Sequence, residues 1–303
     1  MITLPHHLCM SITQICRKHK SMANNLNYPD SFIELVHKTN DNNSLLYGQY
    51  IGTGNPNARI LILGKECAID KNDKPQQYEN EIVANAKNWK KNIDNNVSIE
   101  NADKDELWKK DINSQINPLY PYRGQYFKRN RNNNLGTNPT WYNYQKMLIN
   151  ILKNLNITVS IDKANKVFLH EYCFLSELNS ETAKYSKDVD SIKRTKSINS
   201  RKVLFGENFF QQFPIVIVAA GHYPHEHDIN LEKLFGVKWN GITINNNYNP
   251  SLNKNWYNIH RETAGRNPKL LIHTNQLSVV TTELLNQLAI ECSDFIKESS
   301  ISL

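Results

Sequence analysis

The sequence predicts an α/β protein, a three-layer α/β/α arrangement with a mostly parallel, four-stranded central sheet. Continuous apolar runs occupy residues 59–64, 166–172, 214–221 and 269–273. A strand that is buried on both faces of a parallel sheet has such an unbroken apolar run. Helical patterns lie between or after these runs, and alternating strands and helices predict a sheet that is covered on both faces.

The elements follow one another without a clear linker or repeat, so we expect one domain over residues 1–303. A helical lead covers residues 1–47, where Phe32, Leu35 and Val36 share one helical face. A polar insertion at 70–140 follows the first strand and carries helical patterns at 77–91 and 103–110. Further helices are predicted at 142–155, at 200–213 with Val203, Leu204, Phe209 and Phe210 inward, and at 279–298.

Composition favours an intracellular protein with an acidic partner. The formal net charge of +7 attracts polyanions, although a lysine-rich composition has the same effect without any partner. The five cysteines are odd in number and form no CxxC pair, which indicates a reducing compartment. The sequence lacks a long apolar run and an apolar leader segment, so we expect a cytoplasmic location and no membrane contact.

Chemically active residue types follow the predicted strands, where parallel sheets bind their ligands. Gly64, Lys65, Glu66 and Cys67 follow the first strand. The other three strands end in His170-Glu171-Tyr172, Gly221-His222-Tyr223 and His273-Thr274-Asn275. We therefore expect Glu66, Glu171, Gly221 and His273 to gather at one end of the sheet.

Two of these segments resemble motifs of the uracil-DNA glycosylases. That family has a first strand that ends in G-Q-D-P-Y or G-E-x-P-G, where this chain has Gly64-Lys65-Glu66-Cys67. The family's last strand ends in H-P-S-P-L-S, and His273, Leu277 and Ser278 match that motif in register. Cys67, Thr274 and Gln276 stand in place of the motif prolines. The resemblance covers residues 48–298 in order and rough spacing.

The resemblance implies removal of a base from DNA by hydrolysis of its N-glycosidic bond. Glu66 is then the catalytic carboxylate beside C1′, and His273 donates a hydrogen bond to the leaving base. Leu277 is a wedge that fills the vacated base stack, and Ser278 holds a phosphate at the start of the last helix. Gly64, Lys65, Cys67, Tyr78 and Asn275 contribute to the base pocket, with Tyr78 as its aromatic floor. His170 and Glu171 occupy the place of the asparagine that reads the base at the end of the family's second strand.

Each of these residues has a simpler structural interpretation. Glu66 would also suit a helix cap, His273 a structural histidine, Leu277 a core position and Tyr78 ordinary packing. The basic segment with Arg123, Lys128, Arg129 and Arg131 is either a phosphate contact or a solvated loop. The stretch 222–228 contains three histidines and two carboxylates, but Pro224 and the spacing disfavour a metal site, and no cofactor is expected.

Three functions are compatible with these patterns. The first is a DNA glycosylase that acts on uracil or another modified base. The second is a nucleic-acid-binding protein with the same fold and no cleavage activity, which the replaced motif prolines favour. The third is an enzyme that acts on a free nucleoside or nucleotide.

Overall fold

A mixed sheet runs through the centre of the molecule and has helices on both faces. The computed structural model describes residues 27–41, 48–99, 117–129, 137–245, 255–262 and 268–303. Within these residues the sheet has seven strands in the order β1-β3-β2-β4-β7-β6-β5. The strands are β1 (Thr53–Gly54), β2 (Ile60–Glu66), β3 (Cys173–Asn179), β4 (Ile215–Ala219), β5 (Val237–Asn245), β6 (Trp256–Glu262) and β7 (Leu270–Thr274).

The four strands at the centre of this sheet, β3, β2, β4 and β7, are mutually parallel. The α/β class is therefore confirmed. The predicted number of four strands is wrong, because β1 adds antiparallel to one edge and the β5–β6 pair adds antiparallel to the other. The sequence signal missed β5 and β6 because their polar and apolar residues mix without a long apolar run.

Helices pack on both faces of the sheet, because alternate strand residues lie on opposite faces and belong to two separate apolar clusters. The α helices are α1 (Asp30–Asn40), α2 (Pro75–Tyr78), α3 (Asn85–Asp94), α4 (Pro139–Asn154), α5 (Ile161–Ala164), α6 (Leu169–Tyr172), α7 (Ser191–Phe205), α8 (Asn208–Gln211), α9 (Tyr223–Glu226), α10 (Leu231–Phe235) and α11 (Thr282–Glu298). A π-helical turn at Glu79–Val83 joins α2 to α3. One cluster contains Leu61 and Phe32 of α1, and the other contains Ile62, Met147 of α4 and Leu288 of α11.

The predicted helices are largely confirmed, with shifted ends. The helix at 142–155 starts at Pro139, where the Asn138 side chain accepts a hydrogen bond from the backbone N–H of Trp141. The helix at 200–213 is two helices, α7 and α8, and Val203 is exposed although it was expected to be inward. The predicted helix at 103–110 lies outside the described residues, as do 1–26 and 42–47 of the lead.

The second predicted strand is misplaced, which changes the position of two expected site residues. Residues 169–172 form the short helix α6, and the strand itself is Cys173–Asn179. Glu171 therefore precedes β3 and lies at the amino end of the parallel strands, so the expected gathering of four residues at one end is wrong for Glu171. The other three residues lie at the carboxyl side as expected: Glu66 ends β2, Gly221 follows β4, and His273 lies near the end of β7.

Candidate functional site

A cavity of about 410 Å³ opens at the carboxyl ends of β2, β3 and β4. The chain passes from β2 to β3 on one side of β2 and returns to β4 on the other side. Such a reversal of strand order leaves a crevice between neighbouring loops, and it is where open α/β sheets bind ligands. The walls of this cavity come from the β2 loop, the end of β3, the segment 74–85, the segment after Pro118 and the start of α4.

Glu66 borders the cavity and has a fixed carboxylate. Its Oε2 accepts a hydrogen bond from Asn179 Nδ2 at 3.0 Å and another from the Tyr223 hydroxyl at 3.4 Å. Its Oε1 is buried and has no hydrogen-bond partner within the described part of the chain. The alternative role of Glu66 as a helix cap is wrong. The next helix starts at Pro75 and its cap position is Lys74, so Glu66 does not cap it.

Asn179 was missed by the sequence analysis because β3 was placed too early. It is the last residue of the second parallel strand, which is the position that the resemblance assigns to a base-reading asparagine. The residue is fully buried, and its amide ties β3 to Glu66 at the end of β2. The run Cys173-Phe174-Leu175 directly after Tyr172 was the sequence signal that would have located this strand correctly.

Glu177 is a second cavity carboxyl that sequence reasoning missed. It pairs with Gly64 across the parallel β2–β3 ladder and borders the cavity beside Cys67. Its Oε2 is buried without a hydrogen-bond partner in the described residues, and its Oε1 lies 4.0 Å from Cys67 Sγ. Burial raises the pKa of Glu177 to about 8, and the negative charge of Glu66 adds to this shift while Arg201 opposes it.

Aromatic side chains form one wall of the cavity. Tyr122 and Trp141 contact each other edge to face, with ring centroids 4.7 Å apart, and both border the cavity with Tyr50 and Tyr144. The Tyr122 hydroxyl donates a hydrogen bond to Glu81 Oε1 at 2.8 Å, which fixes the ring. Flat aromatic surfaces beside a few polar groups suit a planar heterocyclic ligand.

The expected pocket residues divide into two groups. Gly64, Lys65 and Cys67 border the cavity with Glu66. Tyr78 does not; it packs against a small cluster that contains Ile69 and Ile82, a position that does not support its predicted role as the aromatic floor. Burial raises the pKa of the Cys67 thiol well above its ordinary value, and the neighbouring Glu177 adds to the shift. The thiol is therefore neutral at ordinary pH and is a poor nucleophile.

His170 and Glu171 are not in the cavity, which corrects their expected substrate contacts. His170 is fully buried behind the cavity wall, with its ring 4.7 Å from that of Trp141. Neither ring nitrogen has a partner among the described residues, and burial lowers the pKa of His170 to about 3. Glu171 forms an ion pair with Lys163 and accepts a hydrogen bond from the Tyr120 hydroxyl at 3.1 Å.

The end of β7 is occupied by structural contacts. The Nε2 of His273 lies 2.7 Å from the carbonyl oxygen of Gly221. Burial lowers the pKa of His273 to about 4, so the ring is neutral and its single N–H, on Nε2, is used by this carbonyl. Asn275 Oδ1 accepts a hydrogen bond from the backbone N–H of Trp256 at 2.8 Å. Neither His273 nor Asn275 borders the cavity, so the structure does not support their expected contacts with a base.

The positions of Leu277 and Ser278 also differ from those expected for a wedge and a phosphate contact. Leu277 is fully buried in the cluster under α4 and α11, and its carbonyl oxygen accepts a hydrogen bond from Asn143 Nδ2 at 2.6 Å. A wedge must be exposed, so this position contradicts that role. Ser278 precedes the last helix by a turn, because Thr281 is the cap whose side chain accepts from the Leu284 N–H. Ser278 is therefore not at the helix start that was expected to hold a phosphate.

The basic segment is partly described. Arg123 lies between two residues that border the cavity, Tyr122 and Gln125, and its guanidinium is 5.8 Å from the centre of the Tyr120 ring. Lys128 and Arg129 are exposed. Arg131 lies outside the described residues. The position of Arg123 near the cavity is compatible with a phosphate contact, and the role itself stays a prediction.

Three further observations bear on function. Among the described residues, no three His, Cys, Asp or Glu side chains are grouped to hold a metal ion. In the part of the chain that the structure describes, no helix is long and apolar enough to cross a membrane. Comparison with models of known protein families found no match, and comparison with curated proteins found no significant match.

Proposed function

We propose that this protein hydrolyses the N-glycosidic bond of a base in a nucleic acid, with the base held in the cavity at the end of β2. The observation that carries the proposal is the fixed Glu66 carboxylate, which keeps one buried oxygen without a partner among the described residues, beside an aromatic wall. A buried carboxylate oxygen without a partner is costly, and such a cost is typical of groups that act on a ligand.

The chemistry requires one carboxylate beside C1′ of the sugar. As the C1′–N bond breaks, its electron pair leaves with the base and positive charge develops on the sugar. The Glu66 carboxylate stabilises that charge and orients a water molecule. The water oxygen bonds to C1′, one of its protons passes to Glu66, and the departing base is protonated in turn, so the carboxylate is restored.

Two features favour a polymer over a free nucleoside. Arg123 lies beside the cavity in a segment that continues to the exposed Lys128 and Arg129. On the side of β3, the segment after Asn179 presents Tyr185, which is 57% exposed, with Lys184 and Lys187 close to its ring. Lysines beside an exposed aromatic ring suit contact with a phosphate backbone and an unstacked base.

The resemblance to uracil-DNA glycosylases supports the same proposal. It places the catalytic carboxylate at Glu66 and a base-reading asparagine at the end of the second parallel strand, where Asn179 lies. The central order β3-β2-β4-β7 also brings the first and last motifs to the same end of the sheet. The three-layer, uracil-DNA glycosylase-like fold and an intracellular location remain parts of the proposal.

The test is release of bases from oligonucleotides that carry uracil, hypoxanthine or other modified bases, detected as alkali-labile cuts. We expect release by the native protein and a loss of about 10²–10³ in rate for Glu66→Gln, the loss typical for one electrostatic contact in a transition state. The matched control is Glu226→Gln, which changes an exposed carboxylate at the same end of the molecule and should leave the rate unchanged.

The second candidate is a nucleic-acid-binding protein without cleavage activity. The observation that favours it is the His273 ring, whose N–H is used by Gly221 and is not available to a leaving base. Salt-dependent binding of oligonucleotides with no base released from any substrate would select this candidate over the hydrolase. Release from free nucleosides, with no gain from a polymer, would instead select the small-molecule enzyme.

A further inference from the structure

We infer that Glu177 reads the bound heterocycle by donating a hydrogen bond from its carboxyl group to an acceptor atom of that ligand. The inference rests on the proposed function, because it names the group that recognises the base in the same cavity. It assigns to Glu177 the donor role that the sequence had assigned to His273.

Gly64 creates the space for this carboxyl group. The two residues are paired across the β2–β3 ladder. A Cβ atom at position 64 would lie 2.2 Å from Glu177 Oε2, which is far inside contact distance. Only glycine therefore lets Glu177 lie against β2 in this position, where it borders the cavity.

The described residues satisfy this carboxyl group only in part, since Oε1 lies 4.0 Å from Cys67 Sγ. Arg201 favours the charged form of Glu177, but its guanidinium hydrogen bonds go to the backbone oxygens of Glu177 and Tyr50 and to Ser176 Oγ. Glu177 Oε2 is left buried and without a partner in the described residues. A ligand in the cavity is thus the partner that completes its hydrogen bonding.

The other titratable groups around Glu177 keep it protonated near neutral pH. Glu66 is the neighbouring carboxylate on β2 and disfavours a second negative charge, whereas Arg201 of α7 favours one. Cys67, Tyr50 and Tyr144 carry raised pKa values from burial and are neutral. Burial of Glu177 outweighs Arg201, so its pKa is raised to about 8 and the carboxyl group has an O–H to donate.

The ligand class that fits is a neutral planar heterocycle with a carbonyl oxygen or ring nitrogen that faces Glu177. A neutral carboxylic acid that donates a hydrogen bond in an apolar site loses this ability when it ionises. Affinity should therefore fall as the pH rises through the pKa of Glu177. An amide at the same place also donates a hydrogen bond, but it has no proton to lose in this range.

The experiment measures binding of the free bases uracil, hypoxanthine and cytosine to the full-length protein at pH 7 and pH 9. For the native protein we expect the Kd of at least one base to rise about tenfold, because the fraction of competent protein falls with deprotonation. Glu177→Gln should bind that base with a pH dependence no larger than ionisation of the base itself. Glu177→Leu should bind it about five- to tenfold more weakly than Glu177→Gln at pH 7, since one hydrogen bond is lost.

Glu81→Gln is the matched control, because Glu81 is another cavity carboxyl whose pKa burial raises, but its Oε1 already accepts from Tyr122 and Gln77. That variant should keep the pH dependence of the native protein. The inference is overturned if none of the three bases binds, if native binding does not change with pH, or if Glu177→Gln keeps the native dependence. Base release is measured separately, so pH-dependent binding without release overturns the proposed hydrolysis and leaves the role of Glu177 intact.

Discussion

The ends of β2 and β7 both carry motif-like residues, but they use their polar groups differently. At the end of β2, Glu66 borders the cavity and keeps one buried oxygen that no other described residue bonds. At the end of β7, His273 is bonded to Gly221, and Thr274 Oγ1 donates to the Trp256 carbonyl oxygen at 2.6 Å. A polar group whose hydrogen bonds are satisfied inside the protein stabilises the fold, whereas one left open beside a cavity is available to a ligand.

Replacement of Leu277 tests the structural side of this comparison and should have the largest effect on stability. Leu277 is fully buried among the residues under α4 and α11. Leu277→Ala should lower the free energy of unfolding by about 3–5 kcal/mol, because it deletes buried methyl groups and leaves a cavity. Chemical denaturation measures this change.

The same variant separates a core role from a wedge role. If Leu277 were a wedge, the variant would be nearly as stable as the native protein and would lose activity on duplex DNA more than on single strands. Near-native stability together with that duplex-specific loss would contradict the core role.

His170 is a buried polar residue that lies behind the cavity wall, and it should cause a smaller, pH-dependent effect. Its pKa is lowered from 6.5 to about 3 by burial, so the unfolded state binds a proton more readily than the folded state. The contribution of neutral His170 to the free energy of unfolding is fully present above pH 6.5. It is lost as the pH falls from 6.5 towards 3.

His170→Phe should remove this part of the acid sensitivity and keep the packing against Trp141. At pH 7 we expect a change within about 1–2 kcal/mol, since two nitrogens with no partner in the described part of the chain are replaced by apolar atoms of similar shape. Thermal unfolding between pH 7 and pH 4 measures both effects. An unchanged acid sensitivity in the variant would show that another group dominates this range.

The smallest effect concerns the exposed basic residues Lys128 and Arg129. If they contact phosphates, replacing each by Gln should reduce the slope of log affinity against log salt concentration by about one unit. Binding of a single-stranded oligonucleotide at several salt concentrations measures the slope. The control is the same replacement at Lys153, near the end of α4. Equal slopes for all variants would show that Lys128 and Arg129 are solvated and do not contact phosphates.

The sequence was sufficient to predict the α/β class and the parallel strands β2, β4 and β7, because strands buried on both faces have continuous apolar runs. It misplaced β3 by several residues, since Val167, Phe168 and Leu169 are apolar for another reason: they pack in a turn before the strand. The site was predicted in part. Glu66 follows a recognisable strand, but Glu177 and Asn179 depend on the exact end of β3, which no local pattern fixes.

The most direct test of the account is the rate of base release by Glu66→Gln and His273→Ala, compared at one temperature on the substrate that the native protein cleaves fastest. Each rate is corrected for the fraction of folded protein. We expect a loss of about 10²–10³ for Glu66→Gln and less than about tenfold for His273→Ala, because Glu66 borders the cavity and His273 does not. Equal losses for both variants, or a larger loss for His273→Ala, would contradict it.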